Sequence, residues 1–91
     1  MTLTVALFGI PRQRAGCSRC ELEFQGAGVT LNEALLALAA AYPGLNGECI
    51  RDGALLGSYA ANLGGERFLS DPAAMLKHGD ELLILSADAG G

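Results

Sequence analysis

The clearest helical signal in this chain runs over residues 30–44, and it is framed at both ends. Thr30-Leu-Asn-Glu33 is a capping box, in which the Thr hydroxyl accepts the third amide of the helix and the Glu carboxylate reaches back to the cap. Leu31, Leu35, Leu38 and Tyr42 recur at i, i+4, i+7 and i+11 and share one face. Ala34, Ala37 and Ala39 to Ala41 add helix propensity and permit close approach to a sheet, and Pro43-Gly44 stops the helix. Most of the remaining apolar residues fall in short runs or alternations of strand type. One helix covers one face of one sheet, so the other face is left for water or for a partner.

The strands read as follows. Residues 2–8 are β-rich and stop at Gly9-Ile10-Pro11, followed by a polar loop over 12–20. Residues 20–25 alternate, with Leu22 and Phe24 on one side and Glu21, Glu23 and Gln25 on the other, as in a half-buried strand antiparallel to the first. Residues 45–53 are irregular. A short strand is centred on residues 58–61, and Gly64-Gly65 allows a tight hairpin into residues 66–69. Ser70-Asp71-Pro72 predicts an N-cap with Pro at the first position and one helical turn through Leu76. After the turn at His78-Gly79-Asp80, Leu82-Leu-Ile-Leu85 is apolar on both faces, as a central strand is. The order predicts an α+β fold: a mixed sheet of about five strands with one main helix across one face, a β-grasp. Residues 1–87 form the domain and residues 88–91 a flexible tail.

The rest of the chain argues mainly by exclusion. Six basic against ten acidic residues give a net charge of -4, and with no Trp there is neither a basic face nor a stacking platform for nucleic acid. No apolar run has the roughly 18–20 residues that span a bilayer. The start lacks a basic segment and a cleavage site, so a cytoplasmic location is expected. There is one His and one Lys, and no Ser/His/Asp constellation, so an enzyme is not expected. His78 reads as a solvated turn residue. Gly26-Ala-Gly28 before the helix reads as a plain turn rather than a phosphate loop. Cys17-Ser-Arg-Cys20 with Cys49 resembles part of a plant-type [2Fe–2S] loop and suggests a β-grasp electron carrier as an alternative. That pattern, however, needs a thiolate where Arg12 stands. Zinc would need a fourth ligand, and His78 is the only His, so no metal site is expected. Two reduced thiols at a loop–strand junction is the plainer reading of Cys17 and Cys20. Arg14 and Arg19 are placed to lower their pKa values.

The chain ends Ala89-Gly90-Gly91 directly after the last strand. Glycine has no Cβ, so such a tail can thread a narrow channel and present a bare carboxylate. Together with the Val-Ala-Leu-Phe8 strand, the helix start at Val29-Thr-Leu-Asn-Glu-Ala-Leu-Leu36, Ala-Tyr-Pro-Gly44 and Gly79-Asp-Glu-Leu-Leu-Ile-Leu85, it resembles the ubiquitin-like sulfur carriers of the MoaD/ThiS family. The length is similar to that of the molybdopterin synthase small subunit. Cys17 and Cys20 lie outside the resemblance.

The resemblance implies a carrier, not an enzyme. An E1-like partner adenylates the Gly91 carboxylate with Mg-ATP, and a sulfur donor converts it to a thiocarboxylate. The tail, with Ala89 and Gly90, then delivers the sulfur in a second partner such as a molybdopterin synthase large subunit. Molybdopterin synthesis is placed ahead of cysteine, thiamin or tRNA thiolation, and a ubiquitin-like protein modifier is the alternative. No cofactor is bound by the chain itself. The family docks through its open face, and pleat parity assigns Phe8, Leu83 and Leu85 to that face and Val5, Leu7, Leu82 and Ile84 to the core.

Overall fold

A computed structural model of the chain describes residues 1–87. The expected tail, residues 88–91, lies outside the described residues, and Ala89, Gly90 and Gly91 with it. Element order is β1 (Thr2–Leu7), α1 (Gly9–Ala15), β2 (Arg19–Glu23), β3 (Gly28–Thr30), α2 (Leu31–Ala41), a 3-10 turn (Pro43–Leu45), β4 (Ile50–Arg51), β5 (Ala54–Leu55), β6 (Tyr59–Leu63), β7 (Arg67–Leu69), β8 (Met75–Lys77) and β9 (Glu81–Ser86). The main sheet is mixed and five-stranded, in the order β2-β1-β9-β6-β7. Only the β1–β9 pair is parallel. β9 sits in the middle, where an apolar run on both faces places it. Two small ladders, β3–β8 and β4–β5, stand apart from this sheet.

The capping box of α2 forms as its sequence dictates. The Thr30 hydroxyl accepts the Glu33 N–H at 3.1 Å, and the Glu33 carboxylate accepts the Thr30 N–H at 2.9 Å. Leu31, Ala34, Leu35 and Leu38 are buried and join Leu3, Val5, Leu7, Leu82 and Ile84 in one core. Tyr42, expected on the same face, is only half-buried at the end of the helix.

Three local expectations are corrected. Gly9-Ile10-Pro11 does not merely stop β1; it opens α1. Proline is tolerated in a first helical turn because its missing N–H would find no helical partner there. Gly16 ends that helix in the left-handed region at φ 82, its N–H donating to the Arg12 carbonyl. Residues 70–74 form a turn, not a helix. The carbonyls of Pro72 and Ala74 accept the Asn32 and Leu31 N–H groups, and residues 75–77 pair with β3. The free donors at the start of α2 thus hold the segment in a turn. The third correction concerns the hairpin after β6. Leu63 pairs with Arg67, so the loop is three residues long rather than two.

Candidate functional site

Side chains opposite one another in a ladder stand on the same face, so register decides what the uncovered face presents. Ala6 of β1 faces Leu83 of β9, Leu83 faces Asn62 of β6, and Asn62 faces Phe68 of β7. Leu85 and Ala60 form the next row. Phe8, whose N–H donates to the Ile84 carbonyl at 3.0 Å, stands at that same end. Val5, Leu7, Leu82 and Ile84, which alternate with these residues, are buried on the α2 side. Phe8 is 46% exposed and Phe68 61%, while Leu83 and Leu85 are half-buried. The structure brings Phe8, Leu83 and Leu85 onto one face and adds Phe68.

Phe68 reaches this face because the loop after β6 has three residues. A two-residue turn at Gly64-Gly65 would pair Phe68 with Ala61, whose side is buried. The third loop residue shifts register by one, and a one-residue shift flips every following side chain. Leu69 takes the place beside Ala61 instead. The sequence carries no signal for this beyond a choice among hairpin lengths.

Asn62 is the other residue the sequence does not reveal. It is only 7% exposed, lies between Leu83 and Phe68, and its buried Oδ1 has no hydrogen-bond partner among the described residues. A buried polar atom left unpaired costs about 1–3 kcal/mol. The face also has a charged border, where Arg19 and Glu81 pair at 2.7 Å. Beside its β7 edge a cavity of about 490 Å³ is lined by Leu31, Leu35, Leu55, Tyr59 and Phe68. Ala87, the last described residue, lines it too.

The other candidates are placed differently. His78 Nδ1 accepts the Thr2 N–H at 2.9 Å, which ties its turn to the start of β1. Cys17 and Tyr42 pack against the core cluster that includes Cys20. Burial pushes the Cys20 thiol up, partly offset by the hydrogen bond from Tyr42. Tyr42 is pushed up to about 12, first by its hydrogen bond to Cys20 and then by that to Cys17. At Cys20 burial outweighs the expected lowering by arginine, and the thiol is raised. Arg19 pairs with Glu81, and Arg14 lies 3.5 Å from Glu48 and acts on Cys49. Cys49 is fully buried beside Tyr59. Among the described residues no three His, Cys, Asp or Glu side chains converge on a metal position. Among them, too, no helix is long and apolar enough to cross a membrane.

No protein-family model matches the chain, and no curated protein matches it by sequence. Solved structures do. Small archaeal modifier protein 1 (SAMP1) of Haloferax volcanii shares 26% identity over 100% of both chains, with a TM-score of 0.82. The Amycolatopsis orientalis BexX/CysO complex matches at 25% identity over 98% of this chain and 99% of that one, TM-score 0.69. A molybdopterin converting factor subunit 1 of Pyrococcus furiosus matches at 20% identity over 94% and 97%, TM-score 0.73, which speaks to the fold alone. The half-covered mixed sheet is therefore a ubiquitin-like β-grasp domain. Its structural neighbours are β-grasp sulfur carriers of the MoaD/ThiS type, and they support a ubiquitin-like carrier or modifier here.

Proposed function

We propose that this chain is a sulfur carrier that works through its terminal glycine and performs no catalysis of its own. The Gly91 carboxylate attacks the α-phosphorus of Mg-ATP in an E1-like enzyme, releasing pyrophosphate and leaving an acyl-adenylate. Hydrosulfide then attacks the acyl carbon, the bond to AMP breaks, and loss of the sulfur's proton leaves a thiocarboxylate. Adenylation supplies the leaving group that a carboxylate lacks. The observation that carries this reading is the central strand β9 of a half-covered sheet, followed within five residues of sequence by Gly90-Gly91. Whole-length likeness to a small archaeal modifier protein and to CysO supports it.

Docking is proposed on the open face. Phe8, Leu83, Leu85 and Phe68 supply apolar contact, and the Asn62 amide oxygen, which accepts no hydrogen bond from the described residues, supplies an acceptor. A partner enzyme donating one hydrogen bond into this patch would remove the cost at Asn62 and fix its own register. The molybdopterin pathway, with a synthase large subunit as sulfur acceptor, is placed first. Cysteine, thiamin and tRNA thiolation are the other acceptors. Incubation with an E1-like enzyme, Mg-ATP and a sulfur donor should exchange one oxygen for sulfur at the C-terminus, read by intact mass. An unchanged mass without ATP–pyrophosphate exchange would sink the proposal. The likeness to archaeal modifiers favours one second reading, in which the activated carboxylate forms isopeptide bonds to lysines. Lys77 is the only lysine through which self-chains could grow.

A further inference from the structure

The CxxC pair has no part in the function proposed above, yet the fold assembles it into a distinct site. Cys17 lies in the loop between α1 and β2, and Cys20 is the second residue of β2. The loop is anchored, since the Ser18 carbonyl accepts the Leu7 N–H at 2.9 Å. Cys17 is half-buried and lines a depression together with Arg12, Gln13, Gly16 and Ser18. Cys20 is 9% exposed and points to the core side of the sheet. Tyr42, at the end of α2, and Cys17 pack against the core cluster that contains Cys20, and both thiols act to raise the Tyr42 hydroxyl. One thiol that solvent reaches, one that it does not, and a shared hydroxyl make an asymmetric pair.

We infer that Cys17 and Cys20 form a reversible dithiol–disulfide site that exchanges with small-molecule disulfides, Cys17 attacking and Cys20 resolving. In the first step the Cys17 thiolate attacks one sulfur of oxidised glutathione. The glutathione S–S bond breaks, one glutathione leaves with the proton Cys17 gave up, and a mixed disulfide remains on Cys17. In the second step the Cys20 thiolate attacks the Cys17 sulfur, breaks the mixed disulfide and releases the second glutathione. Two electrons pass from the protein pair to the reagent, and the Cys20 proton goes to the departing thiol. Arg12, in the same depression as Cys17, offers a cation to the carboxylates of glutathione. Tyr42 is a positioning residue whose hydroxyl can donate to the Cys20 thiolate as it forms. Cys49, fully buried beside Tyr59, has no such arrangement and serves as an internal control.

The test equilibrates the full chain in mixtures of reduced and oxidised glutathione, quenches with acid, unfolds, alkylates free thiols and reads intact and peptide masses. The expected product has lost two hydrogen atoms, carries a bond confined to residues 17–20, and is alkylated only at Cys49. Cys20→Ser should trap glutathione on Cys17, and Cys17→Ser should take up none. A wild-type chain that retains glutathione on Cys17 with Cys20 free would overturn the inference. So would Cys17→Ser reacting as fast as wild type. The wild-type result decides without either variant, so a serine variant that misfolds leaves the test intact.

Discussion

Asn62 places a polar side chain, 7% exposed, in the middle of an apolar row. Its neighbours in the ladder, Leu83 and Phe68, are apolar, and its Oδ1 finds no partner among the described residues. A core residue chosen for stability alone would be aliphatic, as Ala61 is on the opposite face. Replacing an unsatisfied buried amide by an apolar group of similar shape removes its desolvation cost. Asn62→Leu should therefore stabilise the isolated domain by about 1 kcal/mol in urea denaturation while weakening capture of the activating enzyme. A variant less stable than wild type would show that the amide is satisfied in solution and has no docking role.

Elements fail or form here according to where their backbone donors go. α2 is determined locally: cap, apolar stripe and stop lie within its own sequence. Thr30→Ala should cost about 1 kcal/mol of unfolding free energy, read by urea denaturation at neutral pH. The Thr30 N–H, and after it the Thr30 hydroxyl, hold the Glu33 carboxyl below its ordinary value of 4.5. A lowered pKa means that the unfolded chain binds the proton more readily, so the Glu33 contribution is present above the ordinary value and lost as pH falls below it. The gap between Thr30→Ala and wild type should therefore narrow as the urea series moves to lower pH, and a gap that widens would contradict the capping box. The 70–76 segment shows the opposite case. Its cap signal is genuine, since Asp71 Oδ1 accepts the Ala73 N–H at 2.9 Å. The turn is nevertheless not continued as helix, because two of its carbonyls serve α2 and its last residues serve β3. Gly44 marks another contact between elements. A Cβ there would collide with the Arg14 carbonyl oxygen, so the 3-10 turn and the end of α1 touch through backbone.

At the scale of the whole molecule, one helix layer against one sheet leaves two faces with different duties. Ile84 is fully buried beneath α2, while Phe8 and Leu85 stand on the uncovered side. Ile84→Ala should lower unfolding free energy by about 2–5 kcal/mol through a core cavity. Phe8→Ala should leave the melt nearly unchanged and weaken partner binding by about 2 kcal/mol, the scale of an aromatic anchor at an interface centre. Leu85→Glu should act in the same direction as Phe8→Ala. Thermal melts beside titrations with the activating enzyme separate the two classes. If Phe8→Ala and Leu85→Glu bind as wild type does, the docking face lies elsewhere, and the cavity bordered by Phe68 and Ala87 becomes the surface to test next.

The sequence by itself determined what depends on residues close together in the chain. The capping box, the stripe of α2 and the central place of β9 follow from hydrogen bonds a few residues apart and from side-chain period. The division of Leu82 and Ile84 from Leu83 and Leu85 follows from the same alternation. Tertiary structure decided what depends on distant partners. α1 forms across a Gly-Ile-Pro that reads as a stop. β8 replaces a helical turn because β3 needs a ladder. One extra loop residue turns Phe68 outward. Tyr42, far along the chain, rather than Arg14 or Arg19, is what meets Cys17 and Cys20. Each of these is a competition for backbone donors, register or neighbours between segments tens of residues apart, and local pattern carries no term for it.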